Sequence, residues 1–183
     1  EISLHYNTNG TTFPKSDHID IWKQFKKVDL QLSIDDTGKR FEYNRWPANW
    51  KKVYANIKKY QKLCNENKHF VLSVSFSVSA FTIFYAEDFF KWCIKEGLPA
   101  PWMGVIVNPS YYNPQVLPQD AKETIRSRLM DSNIQQIKKL MNYIDDSPSK
   151  FYDQFKTITK KLDIKRNQNF QKTFPELAEI LRY

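Results

Sequence analysis

Cysteine and histidine are scarce in this 183-residue chain, which has two of the first, Cys64 and Cys93, and three of the second, His5, His18 and His69. The cysteines lie far apart, each inside a segment of helical period. They therefore suit neither a metal-ligand pair nor a disulfide and read as buried small apolar side chains. The histidines have no ligand spacing, which argues against a metal site built by this chain alone. Long apolar runs are missing too. None approaches a membrane span and no signal peptide opens the sequence, so a cytoplasmic protein with no membrane partner is expected. There is no internal repeat beyond an alternation of strand and helix patterns, and no low-complexity linker.

What is present is enough for a sizeable core: 41% of residues are hydrophobic and 15% aromatic, a composition that excludes a disordered chain. Lysine and arginine number 28 against 20 aspartates and glutamates, a formal charge of +8 that would attract nucleic acid, an anionic surface or an acidic ligand. The lysines are spread along helix faces, however, which marks solvated surfaces more than a polyanion groove and weighs against a nucleic-acid partner.

Periods of two and 3.6 alternate along the chain. Strands are expected over 2–8, 28–35, 69–79 and 102–107, and helices over 18–27, 48–66 and 82–96, the last stopped by Gly97 ahead of Pro99 and Pro101. Four strands joined by helices imply parallel neighbours in a barrel, a half-barrel or an open doubly wound sheet. From 118 onward the pattern is helical, over 118–144, 148–162 and 169–181, with Pro148 and Pro175 as punctuation. Residues 1–117 thus form an α/β part and 118–183 a helical extension that covers the sheet.

The strands carry a sharper clue. Parallel strands covered on both faces read as continuous apolar runs. Here Leu4 and Tyr6 alternate with Ser3, His5 and Asn7; Val28, Leu30, Leu32 and Ile34 with Asp29, Gln31, Ser33 and Asp35; and Leu72, Val74, Phe76 and Val78 with Ser73, Ser75, Ser77 and Ser79. Burying unpaired hydroxyls and carboxylates costs several kcal/mol per group, so the polar face meets a ligand-bearing lumen or solvent.

Thr8-Asn9-Gly10 ends the first strand and Ser33-Ile34-Asp35-Asp36 the second. Arg45 and Trp46 follow, then Trp50-Lys51-Lys52-Val53-Tyr54-Ala55-Asn56-Ile57. In this order the segments resemble the radical S-adenosylmethionine enzymes, within them the members with twitch or SPASM-type C-terminal extensions. T-N-G is similar to the family's third barrel strand, S-I-D-D to its S-x-D-G, and the arginine run to R-x-x-x-x-W-x-x-V-x-x-N-I. Leu162-Asp163, Arg166, Gln168, Phe170 and Pro175-Glu176-Leu177 also resemble twitch members.

The resemblance implies the C-terminal part of a partial (β/α)6 barrel over 1–117 with parallel strands, followed by the helical extension. It implies that Ser33 hydrogen-bonds S-adenosylmethionine and that Arg45 holds its carboxylate in bidentate geometry, unless Arg45 is a surface residue paired with Glu42 or Asp36. Asp35 would face cofactor or substrate, or cap the turn around Gly38. Asn108 would reach the cofactor's adenine or ribose, or serve the turn before Pro109. Ser75 and Ser77 join the cofactor-binding set by their face alone. Against the family pattern, Asp36 stands where glycine is usual, and both the C-x-x-x-C-x-x-C loop that holds the [4Fe-4S] cluster and the Gly-Gly-Glu strand are absent.

The expected function is therefore that of the C-terminal portion of an iron-sulfur enzyme that reductively cleaves S-adenosylmethionine for radical chemistry on a small-molecule or peptide substrate. This chain alone is expected to be inactive and to bind neither cofactor tightly. Self-association through the exposed edge of the first strand, or cover of that edge by the C-terminal helices, is expected as well. Two other readings stay open: a basic α/β binding module for an acidic partner or RNA, and an unrelated small α/β enzyme with a polar cleft at its strand ends.

Overall fold

The computed structural model describes residues 2–144 and 150–183. It is an α/β protein with a four-stranded parallel sheet in the order β1-β2-β3-β4, where β1 is Ser3–Thr8, β2 Lys27–Ser33, β3 Phe70–Val78 and β4 Trp102–Val105. Spatial and chain order coincide, so the sheet has no point at which the order reverses. A doubly wound sheet has such a point.

The chain forms two compact units, one of residues 1–76 and 90–103, the other of 77–89 and 104–183. Leu117, where the strand-bearing part was expected to end, lies inside the second unit.

In the first unit, helices α1 (Ser16–Trp22) and α3 (Trp50–Glu66) follow β1 and β2. Asn49 starts α3 by accepting the Lys52 N–H at 3.0 Å, the usual remedy for an orphaned first-turn donor. One stripe of α3, Val53, Ile57, Tyr60 and Leu63, is buried. Burial follows the alternation seen in the sequence: Val28, Leu30 and Leu32 are 0% exposed, whereas Asp29, Gln31 and Ser33 on the other face are only partly covered. The register lines up that polar face, with His5 beside Asp29, Asn7 beside Gln31 and then Ser73, and Ser33 beside Ser75. Tyr6, on the opposite face, packs on Trp22 at 4.7 Å between ring centroids.

Several elements depart from the sequence expectation, among them the helix expected over 18–27, which ends at Trp22, and the one expected over 169–181, which is two short helices. Residues 38–44, read as loop, form helix α2 (Gly38–Asn44), which buries Phe41 and Tyr43. The single helix expected over 118–144 is broken into α5 (Gln119–Met130), one turn of α6 (Gln135–Lys138) and a 3-10 segment, Lys139–Tyr143. Asp131-Ser132-Asn133 causes the break. Ser132 is buried and its hydroxyl donates to Glu87 at 2.9 Å and accepts the Ile134 N–H at 3.1 Å, so the side chain takes over bonding that a continuous helix would supply.

In the second unit, α7 (Tyr152–Arg166) ends at Asn167 in the left-handed conformation, φ 50°. Pro148 and the expected start of this helix lie outside the described residues. Two short helices follow, α8 (Phe170–Thr173) and α9 (Pro175–Ile180), the second opened by Pro175. The core of this unit is aromatic. Phe81 sits 5.1–5.8 Å from the rings of Tyr112, Phe155, Phe170 and Phe174. In sequence, α4 (Ala86–Lys95) lies between β3 and β4.

Candidate functional site

The polar residues of the first unit gather where β2 ends. Ser33 is the last residue of β2, partly exposed, and its register partner on β3 is Ser75. In parallel sheets ligands collect at this carboxyl end of the strands. Beyond it the chain places two aspartates in succession. Asp35 is 7% exposed and accepts a hydrogen bond from Arg45 Nε at 2.7 Å; Asp36 is 1% exposed and accepts one from Arg40 Nε at 2.7 Å. Both are charge-assisted bonds at the short end of the N–H···O range.

Arg45 pairs with Asp35, not with Glu42 or Asp36, which were the alternatives read from its loop setting. Its side chain keeps 24% exposure, and the bond through Nε leaves the outer edge of the guanidinium for a second acceptor. At the turn before Gly38, Asp36 Oδ1 accepts the Thr37 N–H at 2.7 Å. Asp36 does not adopt a positive φ, so aspartate in place of glycine carries no backbone strain.

Gly10 closes the T-N-G segment with φ +73°, and a Cβ there would lie 3.2 Å from Val53 Cγ1. The Gly10 carbonyl accepts a hydrogen bond from Asn56 Nδ2 at 2.8 Å. Glycine is required on both counts, conformation and closeness. Glu42 ties α2 to the start of α3, its Oε1 accepting the Trp50 N–H at 2.9 Å. Burial pushes Glu42 up, but the Trp50 N–H and Lys39 outweigh it and hold the carboxyl below its usual 4.5.

Ser33, Asp35, Arg45 and Ser75 therefore share the first unit, with Arg45 joined directly to Asp35. Ser77 and Asn108 belong to the second unit. There the Ser77 carbonyl accepts from Thr82 Oγ1 at 2.9 Å, and Asn108 is exposed, joined to Pro109 by a cis peptide. The sequence reading treated Asp36 as a departure, passed over Arg40, and had Asn56 only as a member of the arginine run, with no role of its own. The spacing of four between Asp36 and Arg40 was the signal for the first pair. No local spacing announces the contact between Asn56 and Gly10.

Cys64 lies half-buried on α3 and Cys93 fully buried on α4; burial pushes the thiols up to about 11 and about 12. Among the described residues no group of three or more His, Cys, Asp or Glu could hold a metal ion, and no helix is long and apolar enough to cross a membrane.

Fold and site together define an α/β protein with a polar, ion-paired strand end. Compared with known proteins, the chain matches no family model, no curated protein and no solved structure.

Proposed function

We propose that this chain is the C-terminal portion of a radical S-adenosylmethionine enzyme, in which its α/β part is a segment of a partial (β/α) barrel and residues 118–183 are the appended helical region. The observation that carries this reading is the meeting of distant sequence elements in one unit. The two ends of the resemblance lock together, Gly10 of T-N-G against Asn56 and Val53, and Asp35 of S-I-D-D against Arg45. Sequential order of the parallel strands supports it, since a barrel segment has that order.

The reading implies two groups, and the residues present suit them unequally. For S-adenosylmethionine they fit. Ser33 offers a hydroxyl at the strand end, and Arg45, oriented by Asp35, presents the guanidinium edge suited to a carboxylate. Asp35 fixes the arginine in place before a ligand arrives, which lowers the entropy lost on binding. When bound and reduced, the cofactor supplies a radical that takes hydrogen from the substrate. For the [4Fe-4S] cluster they do not fit. The cluster takes three thiolates from one short loop, whereas the chain has only Cys64 and Cys93, on separate helices, so these residues do not supply its ligands.

The test is the reading frame upstream of Glu1. A C-x-x-x-C-x-x-C motif within roughly one hundred residues, the length of two to three βα units, is expected. A stop codon or an unrelated domain in that interval would overturn the proposal.

A further inference from the structure

The outer edge of β1 has a hydrogen-bonding pattern that is its own complement. Val28 N–H donates to His69 O and Ile34 N–H to Ser75 O, so the even-numbered residues of β2 turn their main chain toward β3 and the odd-numbered ones toward β1. In a parallel ladder, a residue facing its neighbour bonds to the two residues that flank its Cα partner. Asp29 has His5 as Cα partner and so bonds Leu4 and Tyr6; ahead of β2, where the alternation does not yet hold, the Ile2 carbonyl accepts the Lys26 N–H. Ser3, His5 and Asn7 therefore turn their N–H and C=O groups outward. All three are exposed, and among the described residues no partner for these groups is recorded.

We infer that β1 pairs antiparallel with β1 of a second copy of this chain, in a register centred on His5. A two-fold axis through His5 places Ser3 opposite Asn7 of the other copy and His5 opposite itself, and each of these pairs exchanges both main-chain bonds. The residues between them fall into place on the other face. Leu4 meets Tyr6 of the other copy, an aromatic–aliphatic cross-strand pair, and Ile2, 71% exposed in the single chain, meets Thr8. A slip by one residue would set outward-facing groups against inward-facing ones and lose the ladder.

The edge has none of the usual protection. β1 contains no proline, no glycine and no lysine, and its ladder to β2 runs without a bulge. With no aspartate, glutamate, lysine or arginine in Ser3–Thr8, two copies bring no like charges from those side chains together. The opposite edge differs: β4 has four residues, one of them Gly104, and follows Pro99 and Pro101. The inference stands on the edge alone and is an alternative to the barrel reading above, in which a preceding strand would take this edge.

Sedimentation velocity of the full chain is expected to show a monomer–dimer equilibrium that moves toward dimer as concentration rises. His5→Pro removes an outward N–H and no bond to β2, so it should leave the circular dichroism unchanged and the protein monomeric. His5→Lys, which sets two cations face to face, provides the same readout where proline disturbs the strand.

Oxidative cross-linking tests the register. His5→Cys should link to itself, because directly opposed residues of a bonded pair lie about 5.5 Å apart at Cα, within disulfide reach. Ser3→Cys alone should stay monomeric on a non-reducing gel, and an equal mixture of Ser3→Cys and Asn7→Cys should link. The oxidised wild-type chain controls for Cys64 and Cys93. A chain that stays monomeric at every concentration, leaving the edge to some other strand, overturns the inference. So does a dimer indifferent to both His5 variants, or one in which Ser3→Cys links to itself as readily as His5→Cys.

Discussion

Asp35 is nearly buried and Arg45 only three-quarters so, and this asymmetry decides what mutation does. Arg45→Ala removes the guanidinium while the carboxylate remains under cover, and should cost about 1–3 kcal/mol in denaturant unfolding. Arg45→Ala combined with Asp35→Asn should recover part of the loss, since the nearly buried charge that faced Arg45 is gone. At Gly10 the expectation is separate. Gly10→Ala forces a side chain into the left-handed region against Val53 and should cost roughly 1–2 kcal/mol. Asn56→Ala leaves the Gly10 carbonyl without its Asn56 donor, at about 1–3 kcal/mol. If Asn56→Ala unfolds at the wild-type denaturant midpoint, that hydrogen bond does not hold the T-N-G turn. Residue roles were the least legible part of the sequence. The bond from Arg45 to Asp35 spans ten positions and that from Asn56 to Gly10 forty-six, and no period reports such reach.

Strands were legible because their period of two coincides with a real difference between faces: Leu30 and Leu32 are fully buried, Gln31 and Ser33 are not. Helix α3 was legible by its apolar stripe, though its Asn49 cap was not read. Helix α2 was not, because seven residues opened by a glycine hold too few turns to display a 3.6-residue period, and its stability comes from burying Phe41 and Tyr43. The break after Met130 was written in Asp131-Ser132-Asn133, yet the apolar spacing of Ile134, Ile137 and Leu140 beyond it reads as one helix. The α2–α3 connection has a pH signature. Glu42 is held ionised below the usual glutamate value, so its contribution is present at neutral pH and is lost as pH falls through its lowered folded value. The Trp50 amide resonance should shift on acidification with a midpoint below 4.5, and Glu42→Gln should abolish that titration.

At the scale of the whole molecule, the cations behind the net charge of +8 are dispersed along helix faces, and several sit beside carboxylates. Lys23, Lys27, Lys39, Lys58 and Lys62 each lie within 4.0 Å of a carboxylate, from 2.7 Å for Lys27 and Lys58 to 3.7 Å for Lys62. A single-stranded RNA oligomer is therefore expected to show no saturable binding in a fluorescence anisotropy titration at low salt. A strong affinity that collapses as salt rises would instead favour the basic binding-module reading. Neither compact unit is a contiguous stretch of chain: the first resumes at Phe90 after Phe76, and the second begins with Ser77–Phe89 and resumes at Gly104. On a ribosome the first unit cannot close when β3 emerges. Its Phe76 must wait for Phe90, which rests against it at 6.3 Å between ring centroids, and for the remainder of α4 behind it. Synthesis halted between these two phenylalanines would release a chain that has β1, β2 and most of β3 but neither β4 nor the segment that completes its first unit.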